Sequence, residues 1–319
     1  MTMSRPITTA PPSASPLPIR QRWSLKALAR AASIGLSASV LLPLQMLIVR
    51  FRPARSAVIP QLFHRIVCRV ASVRTVVEGV PPPPGSHGLI VANHVSWLDI
   101  PVLGAQLPLS FIAKSEVAGW PGIGLLARLQ GTIFIDRSRR AATAETTALM
   151  GHRLRAGACV ALFAEGTTGD GSRILPFRSS LLGAVKEALG PEGEGEIMVY
   201  PLAILHLGRH GIPGGRAGRS LLAWYGDMRL GPHLRSILRG GPIDVRLVWG
   251  EPIAMGRAHS RKETAKLAER SVRAAALAHF SGRDRGAMAP LDQSAPEAGG
   301  IEAEADRASE SSHGPKQEA

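Results

Sequence analysis

Short apolar runs alternate with longer amphipathic stretches between residues 85 and 285. The runs are bounded by glycine or polar residues, as buried β-strands are. The pattern predicts strands at residues 88–92, 109–113, 132–135, 158–163, 197–205, 221–225 and 245–249. It predicts helices at residues 97–106, 140–156, 177–189 and 260–281. Strands that alternate with helices in this way predict an α/β fold with a mostly parallel sheet flanked by helices.

The most apolar stretch of the chain lies before this alternating region. Residues 31–49 carry no charged side chain, and this length is close to the ~20 residues with which a helix crosses a bilayer. Basic residues flank the stretch on both sides, so the positive-inside rule gives no orientation. The stretch therefore predicts membrane association, either as a span or as a helix lying in one leaflet. A buried core helix of a soluble protein is the alternative.

Composition shifts along the chain divide it into four segments. Residues 1–25 are basic and proline-rich, and residues 286–319 form an acidic tail, so both are predicted to be disordered. Residues 26–84 are predicted to be a membrane-associated helical segment that ends in a linker of four prolines. This leaves residues 85–285 as the folded functional domain.

The charge balance narrows the choice of partners. The chain has 38 Lys and Arg against 24 Asp and Glu, a net charge of +14, which favours an anionic partner such as a lipid surface or nucleic acid. Aromatic residues make up only 4% of the chain, which leaves few platforms for stacking nucleic-acid bases. Two cysteines cannot form a disulfide framework or a zinc site of their own. A membrane partner is therefore expected, and a non-enzymatic basic binding protein is the alternative.

A polar cluster, Asn93–Asp99, follows the first predicted strand, at the end of the sheet where α/β folds place their ligand sites. On one helix, His94 and Asp99 would lie about 140° apart, so they meet only if His94 lies on the turn before the helix. A carboxylate on one ring nitrogen would fix the tautomer and leave the other nitrogen to accept a proton from a hydroxyl. The alternative is a turn histidine beside an ordinary early-helix acid.

A second cluster, Glu165–Thr168, follows the strand at 158–163, and Arg173 and Arg178 come shortly after it. A glycine-rich basic loop at a strand end predicts a polar pocket with backbone N–H groups and guanidinium groups for an anion. Arg137 also follows a strand, although a lone arginine there is typical of a solvated surface charge. The motifs of P-loop nucleotide binding, zinc proteases and serine hydrolases do not occur in the sequence.

Four ordered blocks of the sequence together resemble the PlsC-like glycerolipid and lysophospholipid acyltransferases. They are His94-x4-Asp99 and the segments 131–137, 163–167 and 200–203. The resemblance implies that His94 is the general base and that Asp99 orients it. It implies that Arg137, Glu165, Gly166 and Thr167 line the acceptor site and that Pro201 shapes the pocket wall. Thr168 and Arg173 of the glycine-rich loop complete the expected substrate-binding set.

The same resemblance implies the setting of the reaction. Members of this family transfer a fatty acyl group from acyl-CoA or acyl-carrier protein to a lysolipid hydroxyl, without a metal or redox cofactor. We therefore expect an O-acyltransferase at the cytoplasmic face of the inner membrane. Its expected partners are membrane lipids, a lysolipid acceptor and the acyl donor, and no nucleic acid.

One position departs from the family pattern. Members that use lysophosphatidate commonly carry Arg after Glu-Gly-Thr, whereas this chain has Thr168. A guanidinium fork gives phosphate both binding energy and orientation, so its loss matters unless Arg173 or Arg178 replaces it. The first expectation is 1-acyl-sn-glycerol-3-phosphate, which would give phosphatidic acid, because this is the commonest acceptor in the family. Lyso-ornithine lipid is the alternative, because its acyltransferases resemble this chain in the Glu-Gly-Thr-Thr stretch.

Overall fold

A computed structural model describes residues 23–136, 140–189 and 196–281. The chain divides into two compact units, residues 1–277 and 278–319. The described part of the second unit, residues 278–281, completes the last helix and a turn. The disorder expected for the two termini concerns residues that lie outside the described ranges, apart from 23–25.

Strands and helices alternate along the described chain. The strands are β1 (Val73–Glu78), β2 (Gly88–Ala92), β3 (Ser110–Lys114), β4 (Ile133–Ile135), β5 (Cys159–Phe163), β6 (Ile197–Arg209), β7 (Ile212–Pro213), β8 (Ile243–Trp249) and β9 (Ile253–Met255). The helices are α1 (Leu25–Phe51), α2 (Val58–Val70), α3 (Asp99–Gln106), α4 (Ile123–Leu129), α5 (Arg140–Arg155), α6 (Gly183–Ala188), α7 (Gly215–Ser220), α8 (Leu230–Arg239) and α9 (Arg261–Phe280).

One mixed sheet contains these strands in the order β1-β8-β6-β2-β5-β3-β4, and β7 and β9 also pair with β6. Neighbours from β6 to β4 are parallel, as are β1 and β8, whereas β8 is antiparallel to β6. The predicted mostly parallel sheet flanked by helices is confirmed. In the β2–β5 ladder Ala92 lies opposite Phe163. The two polar clusters that follow these residues therefore come to the same edge of the sheet.

The central strands are apolar throughout because helices cover both faces of the sheet. Every residue of β2 and β5 is buried. Ile90 and Ala92 pack on one face with side chains of α3. Leu89 and Val91 pack on the other face with side chains of α5 and α6. Helix α3 begins at Asp99, so this packing fixes the position of the first polar cluster.

The predicted strand at 221–225 is wrong. These residues form turns and irregular structure after α7, although Leu222 and Ala223 are buried. Their backbone bonds are not those of a sheet, since the Trp224 N–H donates to the Val95 carbonyl. The segment is a loop that packs against the core, and its buried residues have the apolar pattern of a strand.

The sheet also begins ahead of residue 85, where the sequence interpretation placed the start of the folded domain. Strand β1 pairs with β8 along its whole length. Its charged residues hid it from the hydrophobic pattern, because they pair across the strands rather than face solvent alone. Arg74 contacts Asp244 at 2.7 Å, and Glu78 contacts Arg246 at 2.5 Å.

Helix α1 covers the apolar stretch and extends beyond it at both ends. Among the described residues it is the helix long and apolar enough to cross a membrane. Its most apolar 18 residues have a mean hydropathy of 1.9, and 6% of them are buried. Arg30 bonds the Leu238 carbonyl, and Gln45 bonds the Leu129 carbonyl, so one side of the helix contacts the rest of the unit. Other positions expose large apolar side chains: Leu36, Val40, Leu44, Met46, Leu47 and Phe51.

We predict that the exposed apolar face of α1 binds lipid. Leu36 and Val40 are 68% and 64% exposed, and glutamates there would place charge in hydrocarbon. The Leu36→Glu/Val40→Glu variant should partition into anionic phospholipid vesicles about tenfold less than wild type in a flotation assay. The matched control, Leu267→Glu/Leu277→Glu, changes exposed leucines of α9 and should bind as wild type does. Equal binding by all three proteins would contradict this prediction.

Candidate active site

His94 and Asp99 are in direct contact, as the sequence predicted. His94 lies on the turn after β2, and Asp99 is the first residue of α3. The His94 Nδ1 is 2.8 Å from the Asp99 Oδ2. Asp99 is completely buried, whereas 16% of the His94 side chain is exposed. The carboxylate therefore acts on the inner side of the imidazole, which keeps some access to solvent.

The Asp99 carboxylate accepts hydrogen bonds at both oxygens. Oδ2 accepts the backbone N–H groups of Val95 (2.7 Å) and Ser96 (3.0 Å) as well as His94 Nδ1. Oδ1 lies 2.6 Å from Nε2 of His206 on β6. Burial alone would raise the pKa of Asp99, but the hydrogen bonds and charges of His206 and then His94 outweigh it and hold that pKa well below its ordinary value. Asp99 is therefore an anion at neutral pH.

An anionic carboxylate fixes the tautomer of each imidazole. A carboxylate can only accept hydrogen bonds, so His94 must carry its proton on Nδ1. A neutral His94 then has an unprotonated Nε2 that can accept a proton from a hydroxyl. The ring stacks on Phe163, with centroids 4.0 Å apart and planes 11° apart, so it cannot turn freely. This arrangement holds the ring in one tautomer and one orientation, in which it can act as a general base.

Asn93 joins the turn to β6. Its side-chain amide donates to the Ile204 carbonyl (3.0 Å) and accepts the Ile204 N–H (2.8 Å). The amide thus replaces the ladder bonds that β2 would make if it continued alongside β6. Because Asn93 is 1% exposed and both its polar atoms are used, it fixes the point at which the chain leaves the sheet for His94.

The Glu165 side chain binds the backbone of His94. One carboxylate oxygen accepts the His94 N–H (3.1 Å), and the other accepts the Leu175 N–H (2.8 Å). Burial raises the pKa of Glu165 to about 7, against the lowering effect of these hydrogen bonds. The resemblance implied that Glu165 lines the acceptor site, and that role stays a prediction. In the structure this 3% exposed side chain ties two loops together.

The glycine-rich loop after β5 lies against residues 93–98, the turn between β2 and α3 that we call the catalytic turn because it carries His94. Gly166 has a φ of +74°, and its N–H donates to the Phe163 carbonyl, so the chain turns sharply at this point. The Gly169 N–H donates to the His94 carbonyl at 2.7 Å. Thr167 is exposed and Thr168 is half-buried on this loop. The two predicted clusters are therefore brought together.

The predicted arginines of the site are either exposed or outside the described residues. Arg173 and Arg178 follow the loop with exposed side chains. Arg137 lies outside the described residues. Pro201 is buried in β6 and lies opposite Val91 of β2. Val91 is one residue before the end of β2, after which the chain turns to His94. The substrate-binding roles of these residues stay predictions.

Sequence reasoning missed two residues beside this site. His206 extends the buried face of a predicted strand, since it follows Ile204 by two positions, but the pattern did not show that it reaches Asp99. Arg219 on α7 donates Nε–H to the Gly171 carbonyl (3.1 Å), which brings a guanidinium to the glycine-rich loop. Only a signal linking distant parts of the chain could have found either contact.

Within the described ranges, no group of three or more His, Cys, Asp and Glu side chains is placed to hold a metal ion. The expectation that the reaction needs no cofactor stays a prediction.

The raised pKa of Glu165 predicts a pH-dependent stability. Between pH 4.5, the ordinary pKa of this group, and about pH 7, Glu165 holds a proton in the folded state that it has lost in the unfolded state. The stability that this proton provides is therefore complete at low pH and is lost as pH rises through 7. Relative to Glu165→Gln, the wild type should lose up to roughly 3 kcal/mol of unfolding free energy between pH 4.5 and pH 8. Denaturant unfolding in detergent at several pH values measures this difference, and a difference that stays constant with pH would contradict the assignment.

Comparisons with known proteins show the family to which the chain belongs. A family model described as Acyltransferase matches residues 74–205. A lyso-ornithine lipid O-acyltransferase of Brucella abortus is 44% identical over 80% of this chain and 94% of that relative. A protein of the same name from Rhizobium meliloti is 38% identical over 81% of this chain and 89% of the relative.

A solved structure also matches the fold. The crystal structure of the 1-acyl-sn-glycerophosphate (LPA) acyltransferase PlsC from Thermotoga maritima covers 79% of this chain and 95% of its own, with a TM-score of 0.53 and 25% identity. Fold, sequence and the His94–Asp99 contact agree, and the chain belongs to the PlsC-like family of glycerolipid and lysophospholipid acyltransferases.

Proposed function

We propose that this enzyme acylates the free hydroxyl of a lyso-ornithine lipid. The observation that carries this choice of acceptor is the match to relatives of that name over almost their whole length, at 44% and 38% identity. The 1-acyl-sn-glycerophosphate acyltransferase of Thermotoga maritima matches over a similar span at 25% identity, and relatives named 1-acyl-sn-glycerol-3-phosphate acyltransferase match at 39% identity over only 34% of this chain. The alternative acceptor considered from the sequence is therefore better supported than the first expectation.

The glycine-rich loop supports the same acceptor. Thr168 stands where lysophosphatidate enzymes commonly carry Arg, so this position offers no guanidinium to a phosphate. Ornithine presents a carboxylate and an ammonium group in place of a phosphate dianion. Arg216 and Asp170 are both close enough for their charges to act on Arg219, which contacts this loop. A carboxylate beside guanidinium groups can pair with both the ammonium and the carboxylate of a zwitterionic headgroup.

The proposed mechanism is direct acyl transfer to the lipid hydroxyl. The hydroxyl donates to Nε2 of His94, which takes its proton while the oxygen attacks the thioester carbonyl. An oxygen–carbon bond forms and the carbon–sulfur bond breaks. The departing thiolate receives the proton back from His94, so no net proton is lost. Asp99 stabilises the imidazolium that exists between these two transfers.

The donor and the location are part of the same proposal. Acyl-CoA and acyl-carrier protein are donors dissolved in the cytoplasm, and the acceptor is a membrane lipid, so the site must lie at the cytoplasmic face. The exposed apolar side chains of α1 and the net charge of +14 support binding to an anionic inner-membrane surface. No cofactor enters the mechanism.

A direct comparison of acceptors tests the proposed substrate. The purified full chain receives lyso-ornithine lipid and 1-acyl-sn-glycerol-3-phosphate in separate reactions and in one mixture, with acyl-CoA and then acyl-carrier protein as donor. We expect kcat/KM to be at least about tenfold higher for lyso-ornithine lipid, with mass spectrometry of the products as the readout. A preference for 1-acyl-sn-glycerol-3-phosphate would overturn the proposed acceptor but not the acyl-transfer chemistry.

Substitutions at the contacting pair test the mechanism. His94→Ala removes the base and should lower kcat by about 10³-fold or more, because proton removal and imidazolium formation both depend on it. Asp99→Asn should also lower kcat strongly, because an amide favours the wrong tautomer of His94. His152→Ala removes an exposed histidine of α5 and should leave thiol release from the donor unchanged. Turnover by His94→Ala near that of wild type would refute the base assignment.

A further inference from the structure

Asp99 lies between two imidazoles, and the second one belongs to a distant part of the chain. His206 on β6 is 2% exposed, and its Nε2 lies 2.6 Å from Oδ1 of Asp99. His94 contacts the other oxygen, Oδ2. Because the carboxylate accepts from both rings, His206 carries its proton on Nε2, whereas His94 carries its proton on Nδ1.

The register of β6 explains why His206 reaches the carboxylate. The Asn93 amide binds both backbone groups of Ile204, which locks the catalytic turn to that position of β6. His206 lies two residues further, so its side chain projects from the same face of the strand as that of Ile204. This face packs in the cluster that includes Leu98, next to Asp99. The ladder with β8 shifts register just after His206.

The two oxygens of Asp99 differ in how many donors they have. Oδ2 accepts three N–H groups, two of them from the local backbone. For Oδ1 the structure gives the His206 ring as donor, over the part of the chain that it describes. Removing that donor would leave a completely buried anionic oxygen unsatisfied. The carboxylate would then turn away from His94 or take up a proton.

We propose that His206 is a positioning residue for acyl transfer: it donates Nε2–H to Asp99, keeps that carboxylate anionic and directs its other oxygen at His94. The inference rests on the proposed mechanism, in which His94 is the base and Asp99 stabilises its protonated form. His206 lies on the far side of Asp99 from His94 and acts through that carboxylate. Its contribution should therefore appear in turnover and in its pH dependence, not in binding of the acyl donor.

Four titratable groups lie close to the carboxylate or to His206 and bear on the pH dependence. They are His94 on the turn, His206 on β6, Glu165 after β5 and His233 on α8. Burial lowers the pKa of His233 to about 4, and its Nδ1 accepts the Trp97 Nε1–H at 2.9 Å, so it is neutral at working pH. Glu165 is present in every variant used below. A change in the pH profile on substitution of His206 thus reports on the coupled His94–Asp99 pair.

Three substitutions of His206 separate positioning from packing. His206→Leu removes the donor and keeps a buried side chain of similar size. His206→Gln keeps an amide N–H₂ near the place of the ring Nε2, whereas His206→Asn holds its amide too far from Asp99. His152→Leu makes the same chemical change at an exposed histidine of α5 and is the matched control. Each full-length variant is assayed from pH 5 to pH 9, and its unfolding midpoint is recorded.

The expected results follow from the loss or retention of the donor. His206→Leu and His206→Asn should lower kcat at neutral pH by about 10- to 100-fold, with the donor KM changed less than about threefold. Loss of the donor makes the coupled His94–Asp99 pair easier to protonate, so on acidification the activity should be lost at a pH higher by one unit or more than in wild type. His206→Gln should recover most of kcat and the wild-type acidic limb, and His152→Leu should match wild type.

Other outcomes would overturn the inference. A His206→Leu enzyme with wild-type kcat and pH profile would show that His206 does not serve Asp99. Equal losses in the Gln, Asn and Leu variants, with an unmoved acidic limb, would show a packing role alone. If the Leu variant does not fold, the Gln and Asn variants decide by the same criteria. Activity in His94→Ala would instead overturn the proposed mechanism, so the two failures are distinguishable.

Discussion

The burial of one carboxylate, Asp99, is the constraint on which this site depends. A buried anion is costly unless hydrogen-bond donors replace the water it has lost, and Asp99 has four donors, two backbone N–H groups and two imidazoles. These donors come from the turn after β2 and from β6. The chain must therefore bring the two strands together in a single register before His94 can be held as a base.

The fold provides that register with few specific contacts. β2 lies between β5 and β6 in the sheet. Groups from both neighbouring strands and the loops after them can therefore bond the turn that follows β2. Asn93 fixes the turn to β6, and Glu165 fixes the His94 backbone to the loop after β5. Most of these polar groups serve the position of His94.

Local patterns in the sequence were sufficient for the central strands, whereas the His94–Asp99 pair, left open by the local pattern, was implied by the family resemblance of residues close together in the chain. The contact of His206 with Asp99 spans 107 positions and depends on the register of two strands, which no local pattern contains. Strand β1 was missed because its charges pair with β8, and the strand predicted at 221–225 was wrong because a buried loop can be as apolar as a strand. The role of Arg137 stays a prediction of the family resemblance.

The tautomers of the two histidines test the central claim most directly. Nitrogen-15 chemical shifts of the enzyme labelled at histidine distinguish a protonated from an unprotonated ring nitrogen, and the His94→Ala and His206→Gln spectra assign the two rings. The account predicts opposite tautomers at neutral pH, with the proton on Nδ1 of His94 and on Nε2 of His206. A His94 ring protonated on Nε2 would contradict it, because that nitrogen could not then accept the proton of a lipid hydroxyl.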